Sequence, residues 1–141
     1  MDKYSPSVRK RMMQAVKSKG TRLENSVAYK LRQNGIFYRR NNKTLNGKPD
    51  FSIKKYKIVL FIDSCFWHGC KKHCRMPKSN VNFWIKKINR NKERDKAITK
   101  YYKSLNWKIL RVWEHDFVEK KDETFNMIIL AFQEAIMGSN Y

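Results

Sequence analysis

Cysteine and histidine residues, which are common ligands of transition metals, are concentrated in one short stretch of this chain. Five of the six occur between positions 65 and 74: Cys65, His68, Cys70, His73 and Cys74. The stretch follows an apolar run, residues 58–62, that ends at the carboxylate of Asp63. The sixth, His115, comes just after another apolar run, residues 109–113. This clustering and the odd number of cysteines favour a metal site over disulfides.

The net charge indicates a polyanionic partner. The chain has 32 Lys and Arg against 12 Asp and Glu in 141 residues, which gives a formal charge of +20. A protein with so much self-repulsion usually binds nucleic acid. An anionic membrane is the weaker alternative, because no apolar run approaches about 18 residues. The first residues lack the apolar core of a signal peptide, which favours a cytoplasmic protein.

Carboxylates are scarce in the part of the chain where basic residues are dense. Between positions 3 and 92 the only acidic residues are Glu24, Asp50 and Asp63. An acid near a surface that meets phosphates weakens binding unless it holds a cation, so these three are the leading candidates for a metal site. Glu24 has an alternative role, because Thr21 and Glu24 have the spacing of a helix capping box.

The apolar pattern between residues 49 and 63 predicts an antiparallel hairpin. Residues 49–53 and 58–62 both read as strands, and the connection between them is short. The hairpin would place Asp50, at the start of the first strand, beside Asp63, at the end of the second. Two adjacent carboxylates are what a divalent cation needs.

The remaining periodicities predict one α/β domain over residues 1–141, a mixed sheet flanked by helices. A basic helical arm covers residues 1–20, a second helix ends before Gly35, and a short strand covers residues 36–40. A long helix begins with Asn80 as its N-cap. A strand over residues 108–113 and a C-terminal helix within residues 118–141 follow.

Several segments together resemble the very-short-patch repair (Vsr) endonucleases, which nick DNA at T:G mismatches. The segments include Gly47-Lys48-Pro49-Asp50, Cys65-Phe66-Trp67-His68, Phe83-Trp84 and Val112-Trp113-Glu114. The similarity covers residues 2 to about 117, and the Cys-Phe-Trp-His string is its most specific part. The resemblance implies a restriction-endonuclease-like fold with a structural zinc.

For that Zn²⁺ we predict a Cys₃His ligand set, a closed type of site that is structural in proteins. The predicted ligands are Cys65, Cys70, Cys74 and His115. The Cys-x₄-Cys-x₃-Cys spacing is not that of a standard zinc finger. His73, next to Cys74, therefore remains an alternative ligand.

Hydrolysis of a phosphodiester needs charge neutralisation and an activated water, which Mg²⁺ bound by carboxylates can supply. Asp50 is the main predicted ligand, and the resemblance adds the backbone carbonyl of Ile62. His68 is the predicted general base or phosphate-polarising group, with a zinc ligand as its alternative. The role of Asp63 is open because some relatives carry His there. The lysine that nucleases of this superfamily have two residues later is Cys65 here.

Phe66, Trp67 and Trp84 are the predicted specificity residues, because relatives push such rings into the base stack at the mismatch. Core packing is the alternative for Trp84, which lies on the apolar stripe of its helix. Met13 of the N-terminal arm, or less well Met12, is the predicted wedge from the opposite groove. The arm could instead be a solvated segment that does not contact DNA.

These residues together predict a monomeric, Mg²⁺-dependent nicking endonuclease for T:G mismatches left by deamination of 5-methylcytosine. Its partner is double-stranded DNA, with a functional link to a DNA cytosine-5 methyltransferase and to mismatch-repair proteins. Two alternatives remain open: a restriction-type nuclease for an unmismatched sequence, and a zinc-containing DNA-binding module without catalysis.

Overall fold

The computed structural model of the protein describes residues 22–65 and 78–138. Its helices are α1 (residues 22–33), α2 (Val81–Ser104), α3 (Asp116–Glu119) and α4 (Lys121–Gly138). Its strands are β1 (Arg39–Arg40), β2 (Phe51–Ile53), β3 (Ile58–Asp63) and β4 (Lys108–Trp113). A 3₁₀ turn, Lys54–Tyr56, connects β2 to β3.

The strands form one mixed sheet in the order β1-β2-β3-β4. The β1–β2 and β2–β3 pairs are antiparallel, whereas β3 and β4 are parallel and are connected through α2. The predicted mixed α/β architecture, a sheet flanked by helices, is therefore confirmed.

Both faces of the central strand β3 are covered, which explains its uninterrupted apolar sequence. Ile58 and Leu60 pack in the larger core cluster, which includes residues of α1, α3 and α4. Val59 and Phe61 point the other way and pack in a second cluster with Ile98 and Tyr102 of α2. The sheet thus lies between α2 on one side and the other helices on the opposite side.

The predicted hairpin is confirmed, and its register brings the candidate acids to one end. Phe51 pairs with Leu60, and Ile53 pairs with Ile58 beside the 3₁₀ turn. Asp50 precedes β2 and Asp63 ends β3, so both lie at the end away from that turn. Backbone pairing alone therefore brings the two acidic residues to the same end of the hairpin.

Local predictions differ from the structure in three places. The strand predicted over residues 36–40 is paired only at Arg39–Arg40. Asn80 was expected to cap α2, but it has φ +57° and makes no side-chain capping hydrogen bond. The short helix α3 was not predicted, because its four residues are too few to show a periodicity.

The basic N-terminal arm and Thr21 of the predicted capping box lie outside the described residues. Within the described ranges, no helix has the length and apolarity needed to cross a membrane.

Candidate active site

Asp50 is held in place by the backbone of the neighbouring strand. The N–H of Ile62 donates a hydrogen bond of 2.6 Å to Asp50 Oδ2. Asn41 in turn donates its N–H to the Asp50 carbonyl at 3.1 Å. The carboxylate of Asp50, the main predicted metal ligand, is therefore oriented at the end of the hairpin. It lies next to Ile62, whose carbonyl is the second predicted ligand.

Glu24, on α1, lies near Asp50. Burial raises the pKa of Asp50 from 3.8 to about 7. The Ile62 hydrogen bond opposes this rise in the pKa, while the hydrogen bond and charge of Glu24 and the charge of Asp63 add to it. Two carboxyl groups close together are stable only if they share a proton or a cation between them.

Arg40 of β1 fixes the position of Glu24. Its Nη2 lies 3.4 Å from Glu24 Oε2, its Nη1 donates to Asn25 Oδ1 at 2.9 Å, and its guanidinium lies 5.7 Å from the centre of the Phe51 ring. The pair of Asp50 and Glu24 is thus built from three elements, α1, β1 and the start of β2. Its oxygen donors suit Mg²⁺, which is bound in proteins by one or two carboxylates and keeps several of its waters.

Asp63, the third candidate acid, binds an arginine on the α2 side of the sheet. Arg111 of β4 donates to Asp63 Oδ1 at 2.7 Å and to Thr99 Oγ1 at 2.9 Å. The same guanidinium lies 3.6 Å from Asp95 Oδ1 and 4.4 Å from the centre of the Phe61 ring. Asp63 therefore helps to join the end of β3 to α2, and its charge is compensated by Arg111.

We expect Arg111→Met to lower the free energy of unfolding by about 3–5 kcal/mol, because it leaves a largely buried carboxylate without its arginine. The matched control is Lys108→Met on the same strand. Lys108 pairs with Glu134 at 3.0 Å in a much more exposed ion pair, so this change should cost about 1 kcal/mol or less. Urea denaturation measures both. Adding Asp63→Asn to Arg111→Met should recover part of the lost free energy of unfolding. Equal losses in Arg111→Met and Lys108→Met would contradict the interpretation of Arg111 and Asp63 as a buried ion pair.

Two of the four predicted zinc ligands lie together in the described residues. Cys65 Sγ, 5 % exposed, lies 3.3 Å from His115 Nδ1. His115 Nε2 lies 3.5 Å from Asp116 Oδ1, and Glu114 Oε1 accepts the Cys65 N–H at 2.9 Å. A histidine that binds a metal through one nitrogen usually turns the other toward a carboxylate or carbonyl. This pair of soft donors therefore suits Zn²⁺.

Other predicted site residues lie outside the described ranges: Met13, Phe66, Trp67, His68, Cys70 and Cys74. The same holds for the alternative ligand His73. Among residues 22–65 and 78–138, no group of three or more His, Cys, Asp or Glu is arranged to hold a metal. The described part of the chain thus contributes only two of the proposed Zn²⁺ ligands.

Trp84 lies near the start of α2 and is only 5 % exposed. This is the position that core packing predicts, and a base could reach the ring only after local rearrangement. The neighbouring Phe83 is 57 % exposed, and its ring meets Trp84 edge to face with centroids 5.1 Å apart. Lys87 Nζ lies within 6 Å of both ring centres, at 5.9 and 5.8 Å.

Sequence reasoning missed the residues that orient the predicted ones. Arg40 holds Glu24, Arg111 holds Asp63, and Glu114 and Asp116 contact Cys65 and His115. Arg111 had a recognisable signal, since a charge inside an apolar strand run indicates a buried ion pair. Glu114 belongs to the Val112-Trp113-Glu114 segment of the resemblance. Arg40 and Asp116 had no signal, because charged residues at strand and helix ends are common on any surface.

Comparisons with known proteins show to which family this chain is similar. A family model described as "DNA mismatch endonuclease Vsr" matches residues 1–76. The type II nicking enzyme V.HpaIIP of Haemophilus parainfluenzae is 45 % identical over 132 residues, 92 % of this chain and 93 % of that protein. V.NmeDIP of Neisseria meningitidis serogroup C is 45 % identical over 121 residues, 84 % and 82 % of the two chains.

DNA mismatch endonuclease Vsr of Escherichia coli K12 is 34 % identical over 140 residues, 97 % of this chain and 88 % of that protein. The family match covers more than half of the chain, and relatives above 30 % identity extend over nearly all of it. The chain is therefore a DNA endonuclease that belongs to the Vsr mismatch endonuclease family.

Proposed function

We propose that this endonuclease nicks one strand of duplex DNA at T:G mismatches that arise when 5-methylcytosine is deaminated, and that the hydrolysis depends on Mg²⁺. The observation that carries the proposal is the Asp50 carboxylate, which the Ile62 N–H holds at 2.6 Å and whose pKa burial and the nearby Glu24 raise to about 7. Two acids close together are unusual in a chain with a formal charge of +20. A divalent cation would relieve the electrostatic cost of their proximity.

The cation would be held by the Asp50 carboxylate, with Glu24 in direct or water-mediated contact and the Ile62 carbonyl as a further ligand. Bound there, Mg²⁺ supplies charge neutralisation at the phosphate and a more acidic water. Ile62 N–H keeps Asp50 oriented, and Arg40 keeps Glu24 from turning away. We propose that His68 either accepts the proton of the attacking water as a general base or polarises the phosphate.

We further propose that Asp63 does not bind the cation directly, because Arg111 donates a hydrogen bond to its Oδ1. Asp63 would instead hold the end of β3 in place and contribute its negative charge near Asp50. A structural Zn²⁺ would be held by Cys65, Cys70, Cys74 and His115, with Asp116 turned toward the histidine. Phe66 and Trp67, with Trp84 and Met13, would open the base stack at the mismatch.

The test is an incubation of the protein with T:G and C:G versions of one duplex, each with and without Mg²⁺. We expect a single-strand nick only in the T:G duplex and only with Mg²⁺. Cutting of both duplexes would indicate a restriction-type specificity, and absence of cutting in a protein that still binds DNA would indicate a binding module. A panel of bases flanking the mismatch then defines the sequence context.

We place the protein in the bacterial cytoplasm as a monomer that works beside a DNA cytosine-5 methyltransferase and mismatch-repair proteins. The methyltransferase creates the base whose deamination gives the mismatch, which is the chemical reason for this pairing. Size-exclusion chromatography with light scattering tests the monomer.

A further inference from the structure

The loop that leads into Asp50 lines an open depression of about 470 Å³ that the proposed active site does not use. Its lining residues are consecutive: Lys43, Thr44, Leu45, Asn46, Gly47 and Lys48. All but Leu45 are exposed. Two lysines and an amide side chain thus line the depression, and no acidic residue lines it. The Thr44 hydroxyl donates its proton to Asn42 Oδ1 and is not counted among the donors. This donor set suits an anion.

The loop is fixed to helix α2, so the depression is a built feature. The Tyr102 hydroxyl donates a hydrogen bond to the Asn46 carbonyl, and Leu45 packs against the cluster that contains Ile98 and Tyr102. Gly47 lies so close to Ile98 that a Cβ at this position would be 2.9 Å from two of its carbon atoms. The position of the backbone is therefore set by the core under it.

The backbone of the loop is also strained at a basic residue. Gly47 has φ +77° and Lys48 has φ +52°, both in the left-handed region. For a lysine this conformation costs on the order of 1 kcal/mol and persists only where the surroundings impose it. Here it fixes a lysine two positions before Asp50, with the buried Pro49 between them.

We propose that Lys43 and Lys48 form a subsite for a backbone phosphate of the DNA strand, next to the phosphodiester that Asp50 serves. Two residues of extended chain span about 7 Å at most, so a phosphate at Lys48 lies close along the strand to one at Asp50. The subsite would determine which phosphodiester of the DNA strand lies at Asp50 and Glu24. The position relative to Asp50 rests on the proposed function, whereas the phosphate contact itself does not.

The test variant is Lys43→Gln/Lys48→Gln, which removes both charges and keeps an unbranched polar side chain at each position. The control is Lys54→Gln/Lys55→Gln, which removes two exposed charges at the opposite end of the hairpin, in the 3₁₀ turn. Both variants carry the same net charge, so a difference between them reports position. Thermal denaturation checks that both fold like the unchanged protein.

Duplex affinity is measured without divalent metal over a range of salt concentrations, so that no cleavage occurs. The slope of log K against log salt is negative, and loss of one phosphate contact makes it less steep by about 0.9. We expect this change in the test variant only. Affinity at low salt should fall roughly tenfold more than in the control. Equal slopes in the two variants would overturn the proposal.

Two further arms separate the remaining outcomes. Inorganic phosphate titrated into both variants distinguishes a site for the free anion: a saturable phosphate site lost in the test variant, with an unchanged DNA slope, overturns the DNA assignment. In nicking assays KM should rise in the test variant with kcat altered much less, which supports positioning of the strand. A protein that shows the slope difference but nicks nothing would refute the proposed function and leave the phosphate contact standing.

Discussion

Asp50→Asn is expected to reduce nicking at least about a thousandfold while DNA binding is largely retained. A carboxylate ligand of the catalytic cation contributes several kcal/mol to the transition state, and each 1.36 kcal/mol corresponds to about tenfold in rate. Asparagine has nearly the same shape, and its carbonyl oxygen can still accept the Ile62 N–H. Nicking rates and duplex affinity are measured side by side, and retained cleavage would remove the catalytic assignment of Asp50.

The same substitution should stabilise the metal-free protein at alkaline pH. Because the pKa of Asp50 rises from 3.8 to about 7 on folding, the stability that this group contributes is complete below about pH 4. It is lost as the pH rises to about 7. The unchanged protein should therefore lose on the order of 2–4 kcal/mol from this group over that range. Asp50→Asn should not show this loss, because asparagine does not ionise.

Thermal denaturation with and without Mg²⁺, at pH 5 and pH 8, separates the contributions. At pH 8 we expect Mg²⁺ to stabilise the unchanged protein and to leave Asp50→Asn unaffected. Glu134→Gln is the control, since Glu134 is an exposed carboxylate on α4 that pairs with Lys108 at 3.0 Å. An identical pH dependence of the unchanged protein and Asp50→Asn would show that Asp50 is not the group responsible.

The second large effect concerns zinc. We expect one Zn²⁺ per chain, and we expect its removal by a strong chelator, or Cys65→Ser, to lower stability by an amount on the order of 10 kcal/mol. Cys65 is buried beside His115, so loss of the metal leaves these groups close together without the ion that would join them. Metal analysis and denaturation curves measure the effect, and added Mg²⁺ should not reverse it.

A pair of histidine variants decides the fourth ligand. His115→Ala is expected to lower the affinity for Zn²⁺ at least about tenfold. His73→Ala should leave it within about twofold. The opposite order would assign the site to His73. The zinc site would be contradicted altogether if the protein were purified without zinc and Cys65→Ser did not change its stability.

Local patterns predicted much of the fold because they depend on near neighbours. The short connection between residues 53 and 58 requires a hairpin, and the apolar run over 58–62 requires a strand covered on both faces. The side-chain cap of α2 was not formed even though the local preference for it was strong. Asn80 is a good N-cap residue by type, yet it adopts a left-handed conformation and makes no side-chain capping bond.

The candidate site was predictable in its acids but not in their roles. Scarcity of carboxylates in a basic chain singled out Glu24, Asp50 and Asp63. Nothing in the spacing distinguishes the acid that lies near Asp50 from the one that binds an arginine. That distinction depends on which face of the sheet each side chain occupies once the helices are packed.

The sequence alone therefore determined the anionic partner, the hairpin that brings Asp50 and Asp63 to the same end, and the similarity to a nuclease family. Charge, short connections and motifs are local properties of the chain. The tertiary structure decided that Glu24 lies near Asp50 and that Arg111, 48 residues away from Asp63 along the chain, compensates its charge. Contacts across such distances form only when the sheet and helices pack together. Packing thereby places Asp50 and Glu24 in a candidate cation site and Asp63 in a structural ion pair with Arg111.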